Sequence, residues 1–262
     1  MIAASFVPSV RSEWLKRRRS LTTLLVLGAA CFLPVLLLAI RFVKWRELAA
    51  AYQSPAFWER LWSQHMESVS IMVGPLTIML IVSLVTQIEY RNNAWKQVHA
   101  SPQPLSTIFF AKLTVILAIA AQMFVLFNIA FYVAAMLPAW LLPSVQGPVA
   151  AYPLKLFIWR SACYFVDMLP VVAIQYLIAL RFRSFVLPLA VGMVLWILSL
   201  GFLSWQYNYL LPYSFATIDY ASTTQARVSQ QLPASPRVLA SAVFAAFTLA
   251  GYVVYMTRKD RG

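Results

Sequence analysis

Residues 21–40 read LTTLLVLGAACFLPVLLLAI, a run without a single charge between Arg19 and Arg41. An α-helix rises about 1.5 Å per residue, and the hydrocarbon core of a bilayer is about 30 Å thick. The run is therefore long enough to cross a membrane once. The same criterion selects Ser68 to Ile88, between Glu67 and Glu89, as a second span. From Leu113 to Leu154 a longer uncharged stretch holds one span and a loop, with Pro138, Pro143 and the Gly147-Pro148 pair expected to end the helix. A turn at Arg181-Phe182-Arg183 separates the fourth span from the fifth. Working outward in this way assigns six spans, at about 21–41, 68–88, 109–137, 156–180, 184–203 and 238–256.

Composition leads to the same class. Of 262 residues, 61% are hydrophobic and 11% charged, and the mean hydropathy is +0.73. Soluble domains carry about a quarter charged residues, so a soluble globular fold is excluded. The expected fold is a single all-α polytopic membrane domain, residues 1–262. The 21 Lys and Arg against 8 Asp and Glu are explained by where they fall. With the N-terminus placed in the cytoplasm, 13 of the 21 basic residues lie on that side: Arg11, Lys16, Arg17, Arg18, Arg19, Arg91, Lys96, Lys112, Arg181, Arg183, Arg258, Lys259 and Arg261. Lys and Arg accumulate on the cytoplasmic side, so both termini are expected there, facing anionic lipid. No basic groove with interleaved aromatics suggests nucleic acid. The first apolar run is span length, follows about twenty other residues and lacks a small-residue cleavage pattern, so span one is expected to stay.

Three further segments have a character of their own. Residues 1–20 set Phe6, Val7, Val10, Trp14 and Leu15 among Arg11, Glu13, Lys16 and Arg17, at spacings that give a helix one apolar face in the cytoplasmic interface. The loop from Arg41 to Glu67 carries Trp45, Trp58 and Trp62 and is expected to lie on the membrane surface, partly as helix. The loop from Ser204 to Arg237 opens with Trp205, Tyr207, Tyr209 and Tyr213, and its aromatic first half is expected to dip into the outer face.

The segment after span two reads Gln87-Ile88-Glu89-Tyr90-Arg91-Asn92-Asn93-Ala94-Trp95-Lys96, with Ser101-Pro102 soon after. Such a short polar helix with aromatic and charged groups fits a groove on a soluble partner, or serves as a solvated connector. An acid, an aromatic residue, an Arg, a small polar pair and Trp-Lys in this order resembles the segment after the second span in ABC-2 type permeases. The branch of lantibiotic and bacteriocin immunity or export permeases is the most similar. Ser12-Glu13-Trp14-Leu15-Lys16-Arg17-Arg18-Arg19-Ser20 is similar to that family's opening. The Pro-rich continuation through Gln103-Pro104 departs from the pattern, where many relatives place a basic residue.

The resemblance implies a type V ABC exporter-like transmembrane domain in the inner membrane of a bacterium, with two permease protomers, alike or different, each on an ATPase subunit. Glu89, Tyr90, Arg91, Asn92, Asn93, Trp95 and Lys96 would then form the coupling helix. Glu13, Trp14, Lys16 and Arg17 would belong to the interfacial helix. ATP and magnesium would sit on the partner, since the seven Gly residues never form the Gly-x-x-x-x-Gly-Lys-Ser/Thr loop that cradles phosphates. The substrate implied is amphipathic, a peptide or lipid-like compound, moved outward.

No catalytic or metal constellation is legible. His65 and His99 fall outside the assigned spans, and His and Cys lack metal-ligand spacing. Asp167 is the one acid at membrane depth and should face protein or water. With Arg160 seven residues earlier on the same face, it is a candidate for the translocation path, joined by Gln122 and Asn128. Gln175 reads rather as an interhelical hydrogen-bonding group. The alternative function is an ion- or proton-coupled secondary transporter or channel built on Asp167, needing no ATPase.

Overall fold

In hydrocarbon a backbone has no water to bond, so a spanning segment must satisfy its own amides, and a helix does so within one segment. The computed structural model describes residues 2–17, 22–91, 103–142, 145–182, 184–224 and 234–257, and every regular element among them is helical. Helix α1 (Ile2–Arg17) precedes α2 (Thr22–Val43). Next come α3 (Trp45–Tyr52) and α4 (Phe57–Ser68), which runs through a π-helical turn at Val69–Val73 into α5 (Gly74–Arg91). Helix α6 (Leu105–Leu141) is followed by α7 (Leu154–Asp167) and α8 (Leu169–Arg181), two halves of one span that break at Met168. Helix α9 (Val186–Gly201), two short 3₁₀ turns, α10 (Phe215–Thr224) and α11 (Pro236–Thr257) complete the described chain. Five of the helical runs are long and apolar enough to cross a membrane, and α9 is a shorter apolar sixth. The molecule is an all-α polytopic membrane protein.

Helix α2 packs along α6, and α11 packs along α8, while α5 lies between α8 and α9. The two irregular spans meet each other. A Cβ added to Gly74 would run into the Met168 side chain, with Sδ at 2.7 Å, so the first residue of α5 must be small where the other span breaks. A π turn loosens the regular ladder and leaves carbonyls open to outside donors. Trp196 Nε1 of α9 donates to Ile71 O at 2.8 Å, and Thr217 Oγ1 of α10 donates to Ser70 O at 3.1 Å. Pro170 lacks an N–H and sits at the start of α8, which explains why the fourth span is two helices.

Several expectations need correction. The α4–α5 run starts at Phe57, well before residue 68, because its Trp side chains find protein and not the headgroup layer. Trp58 and Trp62 are 3% and 2% exposed, whereas Trp45 alone of the three is exposed. Trp58 Nε1 donates to Ala150 O at 2.8 Å, and Trp62 stacks on Phe157 with centroids 5.1 Å apart. This longer helix also takes in His65, whose ring packs edge-on against Phe131. Pro138 does not end α6: the helix continues to Leu141, and the Pro138 carbonyl accepts the Leu142 N–H at 2.9 Å. In the segment after α9, burial in the protein begins within the aromatic half and continues into α10. Trp205 and Tyr207 are exposed, while Tyr213, Ser214, Phe215 and Ile218 are buried.

Candidate coupling site and membrane-buried polar groups

Of the residues expected to couple to a partner, Glu89, Tyr90 and Arg91 close α5. Asn92, Asn93, Trp95 and Lys96 lie outside the described residues. What frames that segment is described. Ser9 Oγ of α1, buried, donates to Gln103 Oε1 at 2.9 Å, on the strand of chain that returns to α6. One turn further along α1, the buried Glu13 carboxylate bonds Lys16 and lies 3.6 Å from Lys112 Nζ of α6. Glu13 and Lys112 are 8% and 5% exposed at their side chains, so this is a nearly dry ion pair. Trp14 packs partly against the core beside Val10, while Val7 and Leu15 are exposed. Arg17 closes the helix. The first helix is therefore clamped to the base of α6 by its polar stripe, with apolar side chains left on the outside.

The four candidates for a translocation path are not brought together as one network. Asn128 Nδ2 donates to Ser161 Oγ at 2.9 Å, joining α6 to α7 on the floor of a groove of about 750 Å³. The groove walls are apolar, among them Phe124, Ile129, Ile158 and Phe165, with Tyr132 and Tyr152 at one end. Burial pushes the Tyr152 phenol up to about 12, so it stays a neutral wall at ordinary pH. Gln122 is half-buried on α6. Arg160 lies over the Trp62 ring, 5.5 Å from its centroid, a cation–π contact. Asp167 instead has Asp219 and Arg237 as its charged neighbours. The shared face expected of Arg160 and Asp167 thus leads to two different environments.

Of the other buried polar groups, Gln175 reads from the sequence as an interhelical hydrogen-bonding group, whereas Arg41 and Asp219 carry no such signal. Arg41, which reads as the end of span one, is 6% exposed. Its Nη1 donates to Tyr52 Oη at 2.7 Å and to Ala135 O at 3.1 Å, and Tyr52 Oη donates to the same carbonyl at 2.6 Å. Gln175, fully buried, takes the interhelical role: Nε2 donates to Ser83 Oγ at 3.2 Å and to Pro188 O at 2.9 Å, and Tyr213 Oη donates to Oε1 at 3.2 Å. Helix α9 approaches this amide closely because residue 192 is Gly. A Cβ there would meet the Gln175 carboxamide and lie 2.7 Å from Met79 Sδ. Arg237 Nη2 lies 3.4 Å from both oxygens of Asp219, tying α11 to α10.

The structure is a bundle of membrane-length helices, with a first helix clamped to α6 through Glu13 and Lys112. A family model described as ABC-2 family transporter protein matches residues 9–199. The chain belongs to the ABC-2 transporter family and is a permease subunit of an ABC transporter, which implies an ATPase partner. No curated protein matches it by sequence.

Proposed function

We propose that this permease moves an amphipathic substrate, a peptide or lipid-like compound, outward across a bacterial inner membrane, with both termini in the cytoplasm. ATP and magnesium bind a separate P-loop ATPase, and two permease protomers, identical or paired with a similar chain, form the transport unit. The observation that carries this reading is the family match over residues 9–199, which takes in the second half of α1, both flanks of the 92–102 segment, α2 to α8 and most of α9. The second protomer follows from the resemblance to the family. The substrate class follows the resemblance to bacteriocin export permeases and accords with the apolar character of the groove between α6 and α7.

In this mechanism, closure of the paired ATPases displaces residues 89–96. The displacement reaches α6 through Gln103 and the Ser9 contact, and reaches α5 directly. Helix α5 leads to Gly74, the π turn and the break at Met168, where two irregular spans are packed closely and would shift together between two packed arrangements. Reconstitution of the permease with its ATPase in proteoliposomes tests the scheme. Glu89→Ala and Arg91→Ala should lower ATP-driven movement of a fluorescent amphipathic peptide at least tenfold while leaving permease folding intact. Wild-type rates in both variants would remove these residues from coupling.

A further inference from the structure

Arg41, in the last turn of α2, is 6% exposed, and among the described residues no carboxylate lies within ion-pair distance of it. Glu47, the nearest acid in sequence, is exposed and pairs with Lys44 at 3.6 Å. What holds the guanidinium is uncharged. Nη1 donates to Tyr52 Oη at 2.7 Å and to Ala135 O at 3.1 Å, and Cζ lies 5.2 Å and 5.1 Å from the ring centroids of Tyr52 and Phe57. Those contacts occupy Nη1 and set two aromatic rings beside the cation. Nε is buried and donates to nothing, and Nη2 has no acceptor among the described residues.

A guanidinium stays protonated at any ordinary pH, so its burial is not relieved by loss of the charge. A buried charge is tolerated when it is paired and its donors are filled, and is costly otherwise. The N–H of Nε and one N–H of Nη2 point the same way in the guanidinium plane, a fork that matches two oxygens of one carboxylate or phosphate. The group that fits Arg41 is therefore an oxyanion with two free oxygens. Tyr52 positions the fork: its Oη accepts from Nη1 and itself donates to Ala135 O at 2.6 Å, which holds the guanidinium by its opposite corner.

Position selects the source of that oxyanion. Between Thr22 and Arg41 helix α2 rises about 28 Å, close to one hydrocarbon thickness. Between Lys112, which meets α1, and Ala135 helix α6 rises about 35 Å, so Arg41 stands at the end of the bundle away from α1. Around it Ile40, Phe42, Val43 and Trp45 are exposed apolar groups, a surface for the bilayer to cover, with Trp suited to the headgroup level. Phosphates of phospholipids lie at that level. We propose that the Nε–Nη2 edge of Arg41 binds the phosphate of a membrane phospholipid, which fastens the neighbouring ends of α2, α3 and α6 to the headgroup layer. The site holds whether or not the transported substrate is an amphipathic peptide.

Native mass spectrometry of the full chain in detergent, with dioleoyl phosphatidylglycerol added, tests the site. A phospholipid should stay bound to the wild type at an activation energy that strips the other lipids. Dioleoylglycerol, with the same chains and no phosphate, should bind at least tenfold more weakly, and millimolar inorganic phosphate should leave the phospholipid in place. Arg41→Lys keeps the charge and loses the fork, and should lower phospholipid retention at least tenfold with helix content unchanged by circular dichroism. The wild-type arms decide the matter even where that variant does not fold. Equal retention of dioleoylglycerol shows a grip on acyl chains alone and overturns the proposal. Displacement by inorganic phosphate makes the ligand a free anion and overturns the lipid assignment. Loss of every lipid at that energy leaves the edge to water, and full retention in folded Arg41→Lys removes the fork from binding; either result is equally fatal.

Discussion

Gln175 shows what one polar side chain does in the interior of a span. Its carboxamide joins α8 to Ser83 of α5, to the Pro188 carbonyl of α9 and to Tyr213 of the segment before α10. Interhelical hydrogen bonds in membranes average about 0.6 kcal/mol each, so three of them at one residue contribute about 2 kcal/mol. Gln175→Leu keeps the volume and removes all three, and should lower the thermal unfolding midpoint in detergent by the equivalent of about 2 kcal/mol. An unchanged midpoint would show that the carboxamide is a passenger. The same residue marks the limit of reading at this scale. Its role between helices follows from the cost of a polar group in hydrocarbon, but its partners do not, because they lie in three segments remote in sequence. Asp167 was legible for the same reason, as the lone acid at depth. Asp219 and Arg237 were not, since both fall in a stretch that reads as an outer loop until the chain is seen to fold back.

Among the elements, the long spans were legible because a bilayer imposes a length that uncharged runs either meet or miss. Their irregularities were less so. Pro170 is a usable signal for the break at Met168, since a Pro near a helix start has no amide to offer, yet the apolar run continues unbroken through it. The π turn at Val69–Val73 has no local signature, because what stabilises it is Trp196 and Thr217 from elsewhere. Trp58 and Trp62 misled for a related reason: aromatic residues near a span end suit headgroups and protein interiors alike, and only the neighbouring Tyr132, Tyr152 and Phe157 decide between them. Helix α1 is the element whose attachment is most open to test. Removing one member of a buried ion pair costs about 3 kcal/mol. Glu13→Ala should therefore destabilise the permease by about that amount and release α1 to limited proteolysis. Glu13→Ala combined with Lys112→Met should recover most of the loss. A double variant as weak as the single one would show that the pair with Lys112 is not what anchors α1.

For the whole molecule, length differences among the helices matter more than their number. Helix α6 has 37 residues, about 55 Å at 1.5 Å per residue, against 16 residues and about 24 Å for α9. Helix α6 thus joins the end that carries α1 to the end that carries Arg41, Tyr52 and the aromatic cluster in a single piece, and the α4–α5 run spans the same distance through its π turn. A push at one end of α5 or α6 is carried past the groove to the other end without an intervening loop. Such a molecule has use for an external motor, and family membership implies one. The direct measurement is purification of the tagged chain from its native membrane with identification of what accompanies it. The account predicts a P-loop ATPase in stoichiometric amount, with ATP hydrolysis in the purified fraction that falls when Glu89 and Arg91 are replaced by Ala. A chain that purifies without any ATPase, in detergent that preserves its fold, would contradict the account.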